Sequence, residues 1–323
     1  MLDQYGRVIN YLRISVTDRC NLRCCYCMPE GVQDVGMKNI LTFEEIWEIV
    51  RTGVSLGITH IRITGGEPLV RKGCVDLIRG IREIPGVETI TMTTNGVLLG
   101  NYAKQLKEVG VDSVNISLDT LDPEEFYKIT GKRELQEVLA GIRAAKTAGL
   151  QVKLNAVNRK ELDPLPLVRY AQKENLPLRF IEMMPVGYGK KYVGRSNEEL
   201  RKTLATVCGK PECITNREEL SRMGSGPAVY YRFSDLKVPV GFISAIHGKF
   251  CDTCNRIRLT AEGYLKLCLC YDKGADLRRA LREGEKEKLR TIMEETIFQK
   301  PAAHCFEHPA EMTETHEMIK IGG

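Results

Sequence analysis

Strand-like and helix-like hydrophobic patterns alternate along the first part of this chain, and that alternation limits its fold more than any other feature. The runs LRISVT at 12–17, HIRIT at 60–64, ETITMT at 88–93, SVNISL at 113–118, QVKLNAV at 151–157 and LRFIEM at 178–183 read as six strands. Amphipathic helices lie between them, with start signals in place. Thr42 and Glu45 form a capping box at the head of a helix whose Phe43, Ile46, Trp47 and Val50 share one face, and Gly57 follows its end. Asp122, Pro123 and Glu125 mark a second start, with aspartate as cap and proline at the first helical position. A strand linked to the next by a helix runs parallel to it through a right-handed crossover. Six such units fall short of the eight in a closed barrel. The expected fold is therefore α/β, an incomplete, laterally open (β/α)6 TIM-like barrel.

Past residue 186 the pattern changes. GYGKKYVGRSN reads as a loop, and Ser196 with Glu199 and Thr215 with Glu218 read as capping boxes of shorter helices. VYYRF at 229–233 and VGFIS at 240–244 read as two strands joined by a turn. The expected organisation is a barrel core over residues 1–215 and a smaller α+β region over 216–323, closing in polar helices and a flexible tail.

Charges fall at odd places on the strands. In LRIS, HIRIT and VKLN the apolar residues alternate with Arg13, Arg62 and Lys153. One face of a barrel strand packs on helices and the other lines the interior. The apolar positions suit the helices, so the cations point inward, where a buried charge needs an anionic partner. A solvated face of an antiparallel sheet is the competing explanation of the same alternation.

Composition narrows the setting. With 43% hydrophobic and 28% charged residues this is an ordinary globular chain. No stretch approaches the roughly 20 apolar residues of a membrane span. The amino end has neither a signal core nor a transit character, so a cytoplasmic location is expected, without a membrane partner. A net charge of +5 fits an anionic substrate and does not call for nucleic acid.

Twelve cysteines in a chain of this kind point to metal rather than disulfides. Cys20, Cys24 and Cys27 sit in the loop after the first strand. Three thiolates can hold three irons of a 4Fe–4S cluster and leave the fourth open to a small chelating ligand. Structural zinc wants a fourth protein ligand, and the adjacent Cys25 diverges from Cys24. Gly65-Gly66-Glu67-Pro68, Thr93-Thr94-Asn95-Gly96 and Ser117-Leu118-Asp119 follow at the carboxyl ends of the next strands, where barrels place their ligands. Cys251, Cys254 and Cys268 form a second group, with Arg256 and Arg258 between its members. Cys270 could complete a four-thiolate zinc site there, because it would share a strand face with Cys268. Spacing alone leaves zinc and an iron–sulfur cluster both open. Arg256 and Arg258 also share a strand face and suit phosphate recognition, the alternative being a solvated sheet edge.

The CxxxCxxC loop is similar to that of the radical S-adenosylmethionine superfamily. LRISVTDRCNLRCCYCMPEG, RITGGEPLVR, MTTNG, NISLDTLD, RFIEMMPVG, CDTCNRIRLTAEGYLKLCL and the terminal Gly322-Gly323 together resemble the GTP 3′,8-cyclase (molybdenum cofactor biosynthesis protein A) family, from Asp3 to the last residue. The resemblance implies two 4Fe–4S clusters, one on Cys20, Cys24 and Cys27 that binds and cleaves S-adenosylmethionine, and one on Cys251, Cys254 and Cys268 that faces the guanine. It carries S-adenosylmethionine contacts to Tyr26, Gly66, Ser117 and Met184, the last of which would otherwise read as core. It carries GTP contacts to Arg13, Arg62, Thr93, Lys153 and the segment Arg256, Ile257, Arg258, with Arg179 as a further phosphate ligand. It places Gly322 and Gly323 in the active site. The implied reaction is hydrogen abstraction from ribose carbon 3′ of GTP and attack on carbon 8, giving 3′,8-cyclo-7,8-dihydro-GTP in the first step of molybdenum cofactor synthesis. Implied partners are an electron donor of the reduced flavodoxin or ferredoxin type, cyclic pyranopterin monophosphate synthase by product hand-off, and a second copy of the chain. A peptide-modifying maturase with an auxiliary cluster is the alternative, against which the strand cations and CNRIR argue. Cys25 and Cys270 are extra thiols beside the clusters.

Overall fold

A computed structural model describes residues 1–31, 36–192, 194–224 and 226–322. Six parallel strands form where the alternation places them: β1 (Tyr11–Ser15), β2 (His60–Thr64), β3 (Thr89–Thr94), β4 (Ser113–Ser117), β5 (Gln151–Asn158) and β6 (Leu178–Glu182). Their register explains why the odd charges share one face. Arg13 lies beside Arg62, Arg62 beside Thr91, Thr93 beside Asn115, Asn115 beside Lys153 and Asn155 beside Arg179. The alternate positions, such as Leu12, Ile14, Ile61, Ile63, Ile90 and Met92, are fully buried beneath the helices. Because the strand period is two, apolar residues outward fix polar residues inward.

Six helices cover that outer face: α1 (Phe43–Ser55), α2 (Cys74–Arg82), α3 (Leu99–Glu108), α4 (Pro123–Thr130), α5 (Leu135–Thr147) and α6 (Leu165–Glu174). α1 starts on the expected capping box, Thr42 and Glu45 each accepting the other's backbone N–H. Asp122 caps α4 by accepting the Glu125 N–H at 2.8 Å.

The remaining strands do not make a sheet of their own. β7 (Pro211–Cys213), β8 (Val229–Phe233), β9 (Val240–Ile243), β10 (Arg256–Leu259), β11 (Tyr264–Lys266) and β12 (Gly274–Asp276) extend the same sheet at both ends. β9 runs parallel beside β6, and β10 runs parallel beside β1. The chain between them, residues 244–255, therefore passes from the β6 side of the six parallel strands to the β1 side. Among the helices of this part, α7 (Asn197–Cys208) begins on the Ser196–Glu199 capping box. α8 (Arg217–Met223) begins one residue later than expected. Ile214 still donates to Tyr230 O, so the β7 ladder holds the chain extended and Asn216, not Thr215, becomes the cap.

The expected flexible tail is corrected by the structure. After α9 (Arg278–Arg282) and α10 (Lys286–Phe298), the chain returns over the barrel mouth and buries Phe306, Ile319 and Ile321. Phe306 and Ile321 join Val186, Leu269, Cys270 and Cys305 in a second small core. Short 3-10 turns carry this segment, so no helical or strand period advertises its packing. No helix of the described residues is long and apolar enough to cross a membrane.

Candidate active site

A cavity of about 380 Å³ opens at the carboxyl ends of the parallel strands, and both cysteine groups line it. The loop carrying Cys20, Cys24 and Cys27 leaves β1 and is pinned to the end of α4, where Arg23 N–H donates to Thr130 O and Cys25 N–H to Ile129 O. A tight turn, with Cys27 and Met28 N–H both on Cys24 O, aims the three sulfurs at the cavity. Cys25 diverges as expected and faces the Arg159 guanidinium, 3.8 Å from its sulfur.

Gly66 serves this loop by close approach. Its N–H reaches Thr17 O at 2.7 Å, and a Cβ there would lie 2.4 Å from Arg19 O. Glu67, next along, is fully buried and accepts from Leu69 N–H, Thr94 Oγ1 and Asn95 N–H. Asn95 then reaches Asn21 at 2.8 Å and the Cys20 sulfur at 3.7 Å, so the turn after β3 braces the cysteine loop. Tyr26 donates its hydroxyl to Asp119 at 2.7 Å, and Asp119 also accepts Val157 N–H. Burial pushes the Cys20 thiol up to about 11 and the Cys27 thiol up to about 12. Burial, and then the neighbouring Cys27, push Cys24 well up too. Such thiols are poor nucleophiles and wait for a cation that can replace their protons.

Cys251 and Cys254 lie on the chain that links β9 to β10, and Cys268 lies just beyond β11. Two buried cations tie these pieces together. Arg7 pairs with Asp3 and donates to Cys251 O, Pro301 O and Ala302 O. Lys300, 3% exposed, donates to Arg256 O at 2.9 Å and to Leu267 O. Burial opposes the Cys254 thiolate, but Lys300 and Arg256 outweigh it and bring that thiol down to about 7. Sequence reasoning missed Arg7 and Lys300, whose partners lie far along the chain. Cys270 does not share a strand face with Cys268: both lie past the end of β11, outside any strand, and Cys270 meets Cys305. Among the described residues no three cysteine, histidine or carboxylate side chains gather closely enough to hold one metal ion.

Arg13, Arg62, Arg179, Arg256 and Arg258 line the same cavity. β10 pairs on both sides, with β1 and β11, so Arg256 and Arg258 are not on a solvated edge. Arg179 is held by Asn155 and Asn115, and Arg62 by Thr91 and Tyr11. The cations repel one another. Burial, and then Arg256, bring the Arg258 guanidinium down to about 10. Burial, then Arg179 and Arg62, bring Lys153 down to about 8. Lys153 faces the interior but lies behind the lining, its Nζ near Gly224. Glu182 is the sole carboxylate among the described lining residues, and the N–H groups of Asn197, Ile246 and His247 occupy it. Five arginines against one occupied carboxylate give the cavity an excess of positive charge.

Tyr26, Gly66, Thr93, Ser117 and Met184 also line the cavity. Ile257 does not: its side chain is fully buried in the main core, leaving only its backbone on the cavity side. Gly322 is buried, and its carbonyl accepts from Arg258 Nη1 at 2.9 Å. Gly323 lies outside the described residues.

Two family models match the chain, the radical SAM superfamily over residues 14–162 and Molybdenum Cofactor Synthesis C over residues 176–306. Curated relatives match along the whole chain. A GTP 3′,8-cyclase of Clostridium perfringens (strain SM101 / Type A) is 43% identical over 330 residues, covering 100% of both chains. One of Peptoclostridium acidaminophilum is 45% identical over 336 residues, covering 100% of this chain and 98% of the relative. Among solved structures, Streptococcus suis SuiB bound to S-adenosylmethionine is similar in fold, with a TM-score of 0.60 at 13% identity over 97% of this chain and 75% of that one.

Proposed function

The chain belongs to the GTP 3′,8-cyclase family of the radical SAM superfamily, and on that premise we propose that its cavity holds GTP between two 4Fe–4S clusters. The activity is the conversion of GTP to 3′,8-cyclo-7,8-dihydro-GTP, the first step of molybdenum cofactor synthesis. One observation carries the arrangement: both cysteine triads line one cavity together with five arginines. Three thiolates, each binding its own iron, suit a cubane better than structural zinc, which wants four protein ligands.

Cys20, Cys24 and Cys27 would hold the first cluster with S-adenosylmethionine at its open iron, and Cys251, Cys254 and Cys268 the second. The first supplies, when bound, the reducing electron that cleaves S-adenosylmethionine to a hydrogen-abstracting radical. The chain's own residues do the positioning. Tyr26, fixed by Asp119, together with Gly66, Ser117 and Met184, borders the S-adenosylmethionine end. Arg13, Arg62, Thr93, Arg179, Arg256 and Arg258, with the backbone of Ile257, surround the GTP, and Lys153 adds its charge from behind the lining. Fixing both reactants in a near-attack geometry can supply roughly 7–11 kcal/mol of a barrier. Residues 1–215 would carry the first cluster and 216–323 the second. A flavodoxin- or ferredoxin-type donor, hand-off to cyclic pyranopterin monophosphate synthase, a homodimer and a cytoplasmic location complete the proposal.

Metal analysis of anaerobically reconstituted protein, alongside GTP binding, tests it. About eight irons and little zinc per chain are expected from two three-ligand clusters. Stoichiometric zinc in the second triad with activity intact would sink the two-cluster arrangement.

GTP affinity should also fall with rising pH. Lys153 must be protonated to attract a triphosphate, and in the free protein it titrates at about 8. Affinity is then full below that value and declines above it, by up to about tenfold per pH unit, with protons taken up on binding. Calorimetry from pH 7 to 9 in buffers of different ionisation enthalpy checks this. The Lys153→Met variant should lose the dependence that exceeds the nucleotide's own titration.

Removing Gly322 and Gly323 should suppress cyclisation and leave iron content and GTP affinity nearly intact. Arg258 loses its carbonyl partner, a charge-assisted bond worth roughly 1.5–3 kcal/mol, or about ten- to a hundredfold in rate. Gly322 sits at φ 75°, and a Cβ there would meet Ser15 only at 3.5 Å. Its need for glycine is thus conformational, and Gly322→Ala should cost about 1–2 kcal/mol. Product yield in the truncated protein equal to the parent's would return the tail to a spectator.

A further inference from the structure

Cys270 and Cys305 belong to neither triad. Their sulfurs lie 2.9 Å apart, nearer than thiols that merely pack, and the Cys305 N–H donates to the Cys270 sulfur at 3.2 Å. Both are free thiols and both are buried, Cys270 at 0% and Cys305 at 6% exposure. Buried cysteines are often inert apolar filler. These two differ from filler because chain segments 35 residues apart bring them sulfur to sulfur. A disulfide spans about 2.05 Å, so closure asks for a shift of about 1 Å.

Their surroundings give the pair a consequence. Cys270 stands two residues beyond Cys268, in the loop that the second triad needs. Cys305 opens the tail that returns over the cavity. Ile321, packed in the same small core, immediately precedes Gly322, whose carbonyl Arg258 holds. A bond between the two sulfurs would fasten the tail to the loop of the second triad.

We infer that Cys270 and Cys305 form a redox-active dithiol, which small disulfides of the glutathione type convert to a reversible staple between the tail and the Cys268 loop. Cys305, the less buried thiol, opens the small disulfide and forms a mixed disulfide, releasing one small thiol. The Cys270 sulfur then attacks the Cys305 sulfur and releases the second. Two protein thiols lose two electrons and two protons, and the small disulfide gains them as two thiols. Because Cys305 is covered by the docked tail, the first exchange needs the tail to lift, and the staple then locks it down.

The experiment uses the cluster-loaded full-length protein under anaerobic conditions, in glutathione buffers from reducing to oxidising, followed by alkylation, digestion and mass spectrometry. A peptide pair joined through Cys270 and Cys305, lighter by two hydrogens, should appear as the buffer becomes oxidising and vanish on reduction. It should form more slowly than glutathione adds to the exposed Cys213. Amide exchange across 306–321 should slow by about tenfold or more in the stapled form, and Cys305→Ser should abolish both signals with unchanged iron content. Two findings overturn the inference: Cys270 and Cys305 both alkylated as free thiols in a buffer that has modified Cys213, or a link from Cys270 to Cys268 instead.

Discussion

Serine at Cys20, Cys24 or Cys27 is expected to abolish reductive cleavage of S-adenosylmethionine, whereas serine at Cys251, Cys254 or Cys268 should leave that cleavage standing and remove only cyclisation. The two outcomes separate because the two triads are held by different parts of the chain. The first loop is pinned to α4 and braced by the Glu67–Asn95 network. The second is tied by Arg7 and Lys300. Each network is built from its own residues, so breaking one leaves the other's bonds in place. Changes around a metal site commonly cost about 10–100-fold, so loss of a ligand itself should exceed a hundredfold. Iron should fall from about eight to about four per chain in either set. The measurements are iron content and 5′-deoxyadenosine released under a chemical reductant, with and without GTP. Cleavage surviving in Cys24→Ser, or loss of all iron in Cys254→Ser, would contradict the division.

Much of this arrangement was legible in the sequence, for identifiable reasons. Strand period is short and local, so LRISVT or HIRIT shows both its element and the face that its arginine occupies. The first cysteine group was legible for the same reason, its loop being contiguous. The resemblance then supplied roles that local pattern could not, such as that of Met184 in a cavity wall. What stayed hidden depends on distant pairing. Arg7 and Lys300 look like surface cations in an N-terminal hairpin and after a helix. Only the fold brings their partners at 251, 256, 267, 301 and 302 to them. The tail looked flexible because 3-10 turns leave no period, although its hydrophobic residues fill a core. Nor could pattern reveal that β9 and β10 would prolong the barrel sheet, since a strand's partner is a choice made by the whole fold.

The clamp gives a second large effect. Arg258 stands directly beside Arg13 in the sheet register, and Arg256 beside Tyr11. Like charges opposite each other cost about 0.2–1 kcal/mol, and here burial aggravates that cost. An anion reverses its sign. Arg258→Ala should therefore lower GTP affinity or turnover by roughly ten- to a hundredfold, the worth of one charge-assisted contact of about 1.5–3 kcal/mol. The unliganded protein should meanwhile lose less stability than the roughly 1.5–3 kcal/mol of the bond to Gly322, because relief of repulsion offsets part of it. A purely structural arginine would give the opposite signature, lower stability with unchanged affinity. Arg256→Ala is a less clean probe, since Arg256 also packs over Phe250, 5.0 Å from the ring centroid, and acts on Cys254. Lysine at 258 should rescue poorly, keeping the charge without the planar two-donor fork. Arg258 stays protonated well past pH 8, so its loss should lower affinity about equally from pH 7 to 9, unlike the loss of Lys153. Calorimetric GTP affinity, thermal unfolding of the unliganded chain and anaerobic product yield, each on protein with its iron content verified, decide the matter. If both alanine variants bind and cyclise GTP like the parent, Arg13, Arg62, Lys153 and Arg179 must hold the triphosphate without them.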